Sequence, residues 1–95
     1  MINTIIIENE KPQSDYLVKH LEKFFPEITI QAVCDNIPDG IEKVNQHNPQ
    51  LLFLDVELPP YTGFDLLEKT RSVNYEVIFT TSFNKYAIKA RKFCA

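Results

Sequence analysis

Four consecutive apolar residues, Leu51-Leu52-Phe53-Leu54, run straight into a carboxylate, Asp55. A segment that is apolar at every position has no wet face. It reads as a central strand of a parallel sheet, covered on both sides. Asp55 then stands at the carboxyl end of that strand, where open α/β sheets gather their ligand sites. A hydrophobic core has no use for a charge there, so Asp55 is a candidate reactive or ligand-binding group. Beyond it the chain turns through Pro59-Pro60 and reaches Gly63, one of only two glycines.

Short apolar runs alternate with helical patterns on either side of this strand. Thr4-Ile5-Ile6-Ile7 is a β-branched run that predicts a buried first strand. Pro12 suits a first helical turn, after which Leu17, Leu21, Phe24 and Phe25 recur at helical spacing until Pro26. Residues 28–33 alternate in polarity, as a half-exposed or edge strand does. A second helix is expected from about Asn36, with Ile37, Ile41 and Val44 on one face and Pro49 as its stop. Phe64, Leu67 and Thr70 mark the inner face of a third helix, and Val77-Ile78-Phe79 a fourth strand. Tyr86, Ala90 and Phe93 line a fourth helix. The order is four βα units, which implies a doubly wound parallel sheet with strand order 2-1-3-4.

Length and charge narrow the function. With 95 residues the chain is read as a single domain, 1–95, and its 44% apolar content excludes disorder. No apolar run approaches a membrane span, and Met1-Ile2-Asn3 lacks a basic leader, so a cytoplasmic protein is expected. A net charge of −3 excludes a nucleic-acid footprint on this chain itself. Cys34 and Cys94 have no metal-ligand spacing and are read as reduced thiols. His20 and His47 sit in polar contexts and are taken as solvated residues.

The predicted topology brings distant residues together. Strands one and three lie side by side at the switch point, so Glu8-Asn9-Glu10 and Asp55 converge, and Thr80-Thr81-Ser82 ends on the same rim. Two carboxylates, an amide carbonyl and a hydroxyl make an oxygen-rich set suited to a hard cation such as Mg²⁺. Beside such a cation a carboxylate can attack a phosphoryl group and form an aspartyl-phosphate. A flavin-phosphate site is a poor fit, because Glu8-Asn9-Glu10-Lys11-Pro12 is acidic and has no glycine for close backbone approach.

Over its whole length the chain resembles the receiver domains of two-component response regulators, which have a flavodoxin-like fold. Ile5-Ile6-Ile7-Glu8-Asn9-Glu10 is similar to the family's first strand and acidic pair. Asp55-Val56-Glu57-Leu58-Pro59 with Gly63 is similar to its phosphoacceptor loop, and Val77–Ser82 to the strand that delivers a hydroxyl, at Thr81. The segment Phe83–Ala90, with Phe93 and Ala95, looks most like receivers joined to LytTR-type DNA-binding domains. The resemblance implies Asp55 as phosphoacceptor and Thr81 as a phosphoryl contact. It implies a Mg²⁺ site from Glu8, Asn9, Asp55 and the backbone carbonyl of Glu57. The implied partner is a histidine kinase, with control passing to an effector domain outside this chain, and no enzymatic role beyond self-catalysed phosphotransfer.

Two departures qualify that expectation. The family usually has Asp where Asn9 stands, and losing one charge should weaken Mg²⁺ binding. The family's fifth strand, its Lys and its last helix have no counterpart before Ala95, so the sequence reads as a receiver cut short. Strand four would then be an unprotected edge, and self-association is expected there or through the fourth-helix face. The plain reading of Asp55 is a turn cap, and of Glu8-Asn9-Glu10 a solvated loop. The alternative function is a receiver-like interaction module that takes no phosphate.

Overall fold

A computed structural model describes residues 1–80 of the chain. In chain order it contains β1 (Ile2–Ile7), α1 (Lys11–Phe24), β2 (Ile28–Cys34), α2 (Ile37–His47) and β3 (Leu51–Leu54). Two two-residue strands follow, β4 (Glu57–Leu58) and β5 (Tyr61–Thr62), then α3 (Gly63–Lys69) and β6 (Glu76–Phe79). The main sheet is parallel, in the order β2-β1-β3-β6. With β6 as the fourth main strand, this is the predicted α/β order, 2-1-3-4. The expected fourth helix, with Tyr86 and Phe93, lies outside the described residues, as do Thr81 and Cys94.

Local chemistry explains the helix limits. Pro12 falls in the first turn of α1, where its missing N–H costs nothing. Asn36 caps α2 by accepting the Asp39 N–H at 2.8 Å, and Asn48 ends it in the left-handed region at φ 47°. Asp65 accepts the Thr62 N–H at 2.8 Å at the start of α3.

Alternation along each strand separates two core layers. Ile5, Ile7, Leu52, Leu54 and Val77 face α2 and α3, meeting Ile37, Val44, Leu66 and Leu67. Ile6 and Phe53 face α1 and meet Leu21. Gly40 permits the close approach on the first side: a Cβ there would lie 2.6 Å from Ile7 Cδ1 and 2.9 Å from Leu66 Cδ1.

Several details depart from the sequence expectation. Phe24 and Phe25 continue the helical spacing yet are 56% and 45% exposed, because the inward face of α1 ends at Leu21. His20 lies on the surface of α1, as expected, but among aromatic rings: it stacks on Tyr16 at 5.9 Å and tilts against Phe24 at 4.8 Å, both exposed. Leu66, absent from the predicted face of the third helix, is fully buried, whereas Phe64 only flanks the core. The small β4–β5 hairpin, with a cis Pro59-Pro60 bond, had no sequence signal beyond its turn.

Candidate functional site

The carboxyl rim of the sheet is built by extending the ladder one residue past each strand. Glu8 N–H donates to Cys34 O at 2.9 Å and Asp55 N–H to Ile7 O at 2.9 Å. Thr80 N–H donates to Leu54 O at 3.0 Å. Since Ile7 pairs with Leu54 and Leu54 with Phe79, the residues that follow them, Glu8, Asp55 and Thr80, come to stand abreast.

The two acids are only 7% and 9% exposed, and their side chains lie within hydrogen-bond reach of each other. Burial is the main cause that pushes the Glu8 carboxyl up to about 7, and the Asp55 side chain and its charge add to it. A hydrogen bond from Glu10 N–H to Glu8 Oε2, 3.1 Å, works in the opposite direction. Among the described residues the ion pairs are Lys11–Asp15 and Arg71–Glu68, so no basic side chain offsets either acid. Two desolvated carboxylates pressed together without a cation form an arrangement that a divalent ion would relieve.

Asp55 is also fixed from its own loop. Glu57 N–H donates to Asp55 Oδ1 at 3.1 Å, and Gly63 N–H donates to Val56 O at 2.8 Å. Val56 and Leu58 bury their side chains and anchor the loop from below. Gly63 closes it, since a Cβ there would come within 2.7 Å of the Asp55 carbonyl oxygen. These anchoring roles escaped the sequence reading, although apolar Val56 and Leu58 on either side of Glu57 were the available signal.

The remaining predicted residues are placed unevenly. Asn9 is exposed, one residue beyond Glu8, and its side chain makes no hydrogen bond among the described residues. Glu57 is exposed and contributes its backbone beside Asp55. Thr81 lies outside the described residues. Among those described, no three His, Cys, Asp or Glu side chains are grouped to hold a metal. The described residues thus bring two acidic side chains together, Glu8 and Asp55, and no third. A cleft of about 410 Å³ opens on the far side of Glu8, toward Lys11, Cys34 and Lys43, and Asp55 does not line it. Burial pushes the Cys34 thiol up to about 11, so it is a core group rather than a nucleophile. No helix of the described residues is long and apolar enough to cross a membrane.

Residues 4–95 match the family described as the response regulator receiver domain. The sensory transduction protein LytT of Enterococcus faecalis is 31% identical over 88 residues, covering 90% of this chain and 36% of that protein. The transcriptional regulatory protein BtsR of Escherichia coli is 31% identical over 91 residues, covering 95% and 38% respectively. The chain therefore spans little more than a third of the length of these curated relatives. Among solved structures, a DNA-binding response regulator of the LuxR family from Staphylococcus aureus is similar. It shares 27% identity at a TM-score of 0.81, over 98% of this chain and 80% of that one. The response regulator domain of Thermotoga maritima CheB has a TM-score of 0.82 at 17% identity, over 100% of this chain and 74% of that one, and shows the shared fold. With the parallel sheet in the order β2-β1-β3-β6 and a buried carboxylate at the end of its central strand, the chain belongs to the response regulator receiver domains of two-component signalling.

Proposed function

We propose that this chain accepts a phosphoryl group on Asp55 from a histidine kinase or phosphotransfer partner, in the cytoplasm, and passes the signal to a DNA-binding effector region. The observation that carries the reading is the apposition of Glu8 and Asp55, both buried and without a basic partner among the described residues. A structural carboxylate would be expected to find a cation or leave for solvent.

Asp55 supplies the nucleophilic oxygen, and the Glu57 amide holds the carboxylate in one orientation. The oxygen–phosphorus bond forms as the donor's bond to phosphorus breaks and its leaving group departs with the electron pair. Glu8, Asn9, Asp55 and the Glu57 carbonyl are the oxygen donors that would hold Mg²⁺, with Thr81 as a further phosphoryl contact. Bound there, Mg²⁺ supplies charge neutralisation for the phosphoryl oxygens.

Intact-mass spectrometry of the full-length protein, treated with a small phosphodonor and Mg²⁺, tests the assignment. The expected result is a gain of one phosphoryl group in wild type and none in Asp55→Asn. Equal labelling of the two proteins would refute it.

A further inference from the structure

The acceptor loop has two ends, and they are held differently. At its start Asp55 is fixed by the sheet, through its N–H to Ile7 O at 2.9 Å. Its far end is Gly63, the first residue of α3, whose N–H reaches Val56 O at 2.8 Å. Gly63 lies so close to Asp55 that a Cβ there would come within 2.7 Å of its carbonyl oxygen. A shift in the first turn of α3 is therefore passed straight to the Asp55 backbone. Whatever holds that turn also bears on the geometry of the acceptor.

α3 has seven residues and is joined to the β6 segment near both of its ends. At the end remote from the rim, the Thr70 and Tyr75 hydroxyls are hydrogen-bonded, and Thr70 Oγ1 also donates to Leu66 O at 2.8 Å. At the rim, the Phe64 ring meets the Phe79 ring, with centroids 5.3 Å apart and planes inclined at 60°. Tilted pairs of this kind are favourable and directional, which contacts between aliphatic side chains are not. Both rings are only partly buried and flank the core rather than fill it. Phe64 follows Gly63 in the chain, and Phe79 precedes Thr80, whose N–H donates to Leu54 O at 3.0 Å. The contacts close a circuit: from β3 along the acceptor loop to Gly63, across the two rings to β6, and back to β3 through the ladder.

We propose that Phe64 is a positioning residue for phosphoryl transfer. Its ring, packed against Phe79, holds the first turn of α3, and with it the backbone of the acceptor loop, against the end of β6. The inference rests on the reading of Asp55 as the phosphoryl acceptor. Neither ring gains or loses a bond or a proton in the transfer. The effect runs through the placement of the Asp55 oxygen, where a displacement of about 1 Å can cost about a hundredfold in rate. By the same reasoning the Thr70–Tyr75 contact, at the other end of α3, adds stability without setting the acceptor.

The test is the rate at which acetyl phosphate labels the full-length protein in saturating Mg²⁺, followed by intact-mass spectrometry at a temperature where every variant is folded. Phe64→Leu and Phe79→Leu should each slow labelling by about fivefold or more. The double variant should be slowed about as much as either one alone, since both losses open the same circuit. Phe64→Tyr keeps the ring and should label within about twofold of wild type. Tyr75→Phe should lower the thermal midpoint yet also label within about twofold of wild type. Labelling of Phe64→Leu at the wild-type rate, with Asp55→Asn inert, overturns the role of Phe64 and leaves Asp55 standing. Equal slowing in Tyr75→Phe overturns it as well, by making the effect one of general stability. Should Phe64→Leu fail to fold, Phe79→Leu decides by the same criteria. Wild-type protein that takes no label, or takes it as well as Asp55→Asn does, overturns the Asp55 reading and this inference together.

Discussion

The two loops that meet at the carboxyl rim are built in opposite ways. The loop after β3 is tied at several points: Glu57 N–H to Asp55 Oδ1, Gly63 N–H to Val56 O, and Thr62 N–H to Asp65. Its apolar residues Val56 and Leu58 are buried at 3% and 2% exposure. The loop after β1 has one side-chain hydrogen bond, Glu10 N–H to Glu8 Oε2, and α1 begins without a side-chain cap. Asn9 and Glu10 are exposed. The contrast is one of construction: Asp55, the proposed nucleophile, sits in a loop fixed by several hydrogen bonds and buried apolar side chains, whereas beyond the buried Glu8 the loop after β1 is exposed and tied by fewer contacts. A reacting oxygen benefits from fixed geometry, and a cation with several waters benefits from adaptable donors.

The largest break in this comparison should come from Gly63→Ala. The added carbon meets the Asp55 backbone oxygen at 2.7 Å, and backbone there cannot step aside as a side-chain tip would. Urea denaturation should show a loss of about 2–3 kcal/mol, with the amide signals of residues 55–58 displaced. Glu10→Ala, in the opposite loop, should cost less than about 1 kcal/mol. Equal losses from the two substitutions would erase the distinction.

A second measurement separates electrostatic from mechanical control. The folded Glu8 carboxyl holds its proton up to about 7, whereas an ordinary glutamate releases it near 4.5. Between those values the folded state binds more protons than the unfolded one, so metal-free stability should fall as pH rises through that window. The decrease should be about 1–3 kcal/mol by pH 8. Glu8→Gln removes it, leaving a shallower profile and a variant more stable than wild type at pH 8. Parallel denaturation curves in chelator at pH 5 and pH 8 decide the point; identical pH slopes for both proteins count against it.

The smallest expected effect is the sharpest probe of the adaptable loop. Asn9→Asp restores a charge on an exposed residue without touching the core, so stability should be nearly unchanged. Mg²⁺ affinity should rise by about threefold to tenfold, which nuclear magnetic resonance titration of residues 8–10 would report. An unchanged affinity means that the Asn9 side chain does not approach the cation.

Much of this architecture was legible before any coordinates. Ile5-Ile6-Ile7 and Leu51–Leu54 are apolar at every position, a pattern that only a sheet covered on both faces satisfies, and both are central strands. The alternation in residues 28–33 marked a half-exposed or edge strand, and β2 stands at the edge of the sheet among the described residues. Asn36 with Pro38, and Pro49 beyond Asn48, punctuated α2 because capping and missing N–H groups act within a few residues. The helical spacing that includes Phe24 and Phe25 did not disclose their exposure, because periodicity says which residues share a face, not where the neighbouring layer stops.

What the sequence alone determined is the four strands of the main sheet and the three helices between them, their order, and the position of Asp55 at a strand end, since these follow from local periodicity and from the handedness of βα connections. The β4–β5 hairpin was not legible. The register was decided only in three dimensions. Ile7 opposite Leu54, and Leu54 opposite Phe79, is what sets Glu8, Asp55 and Thr80 side by side. The same holds for the raised proton affinity of Glu8, because burial belongs to a packed neighbourhood and not to any stretch of chain.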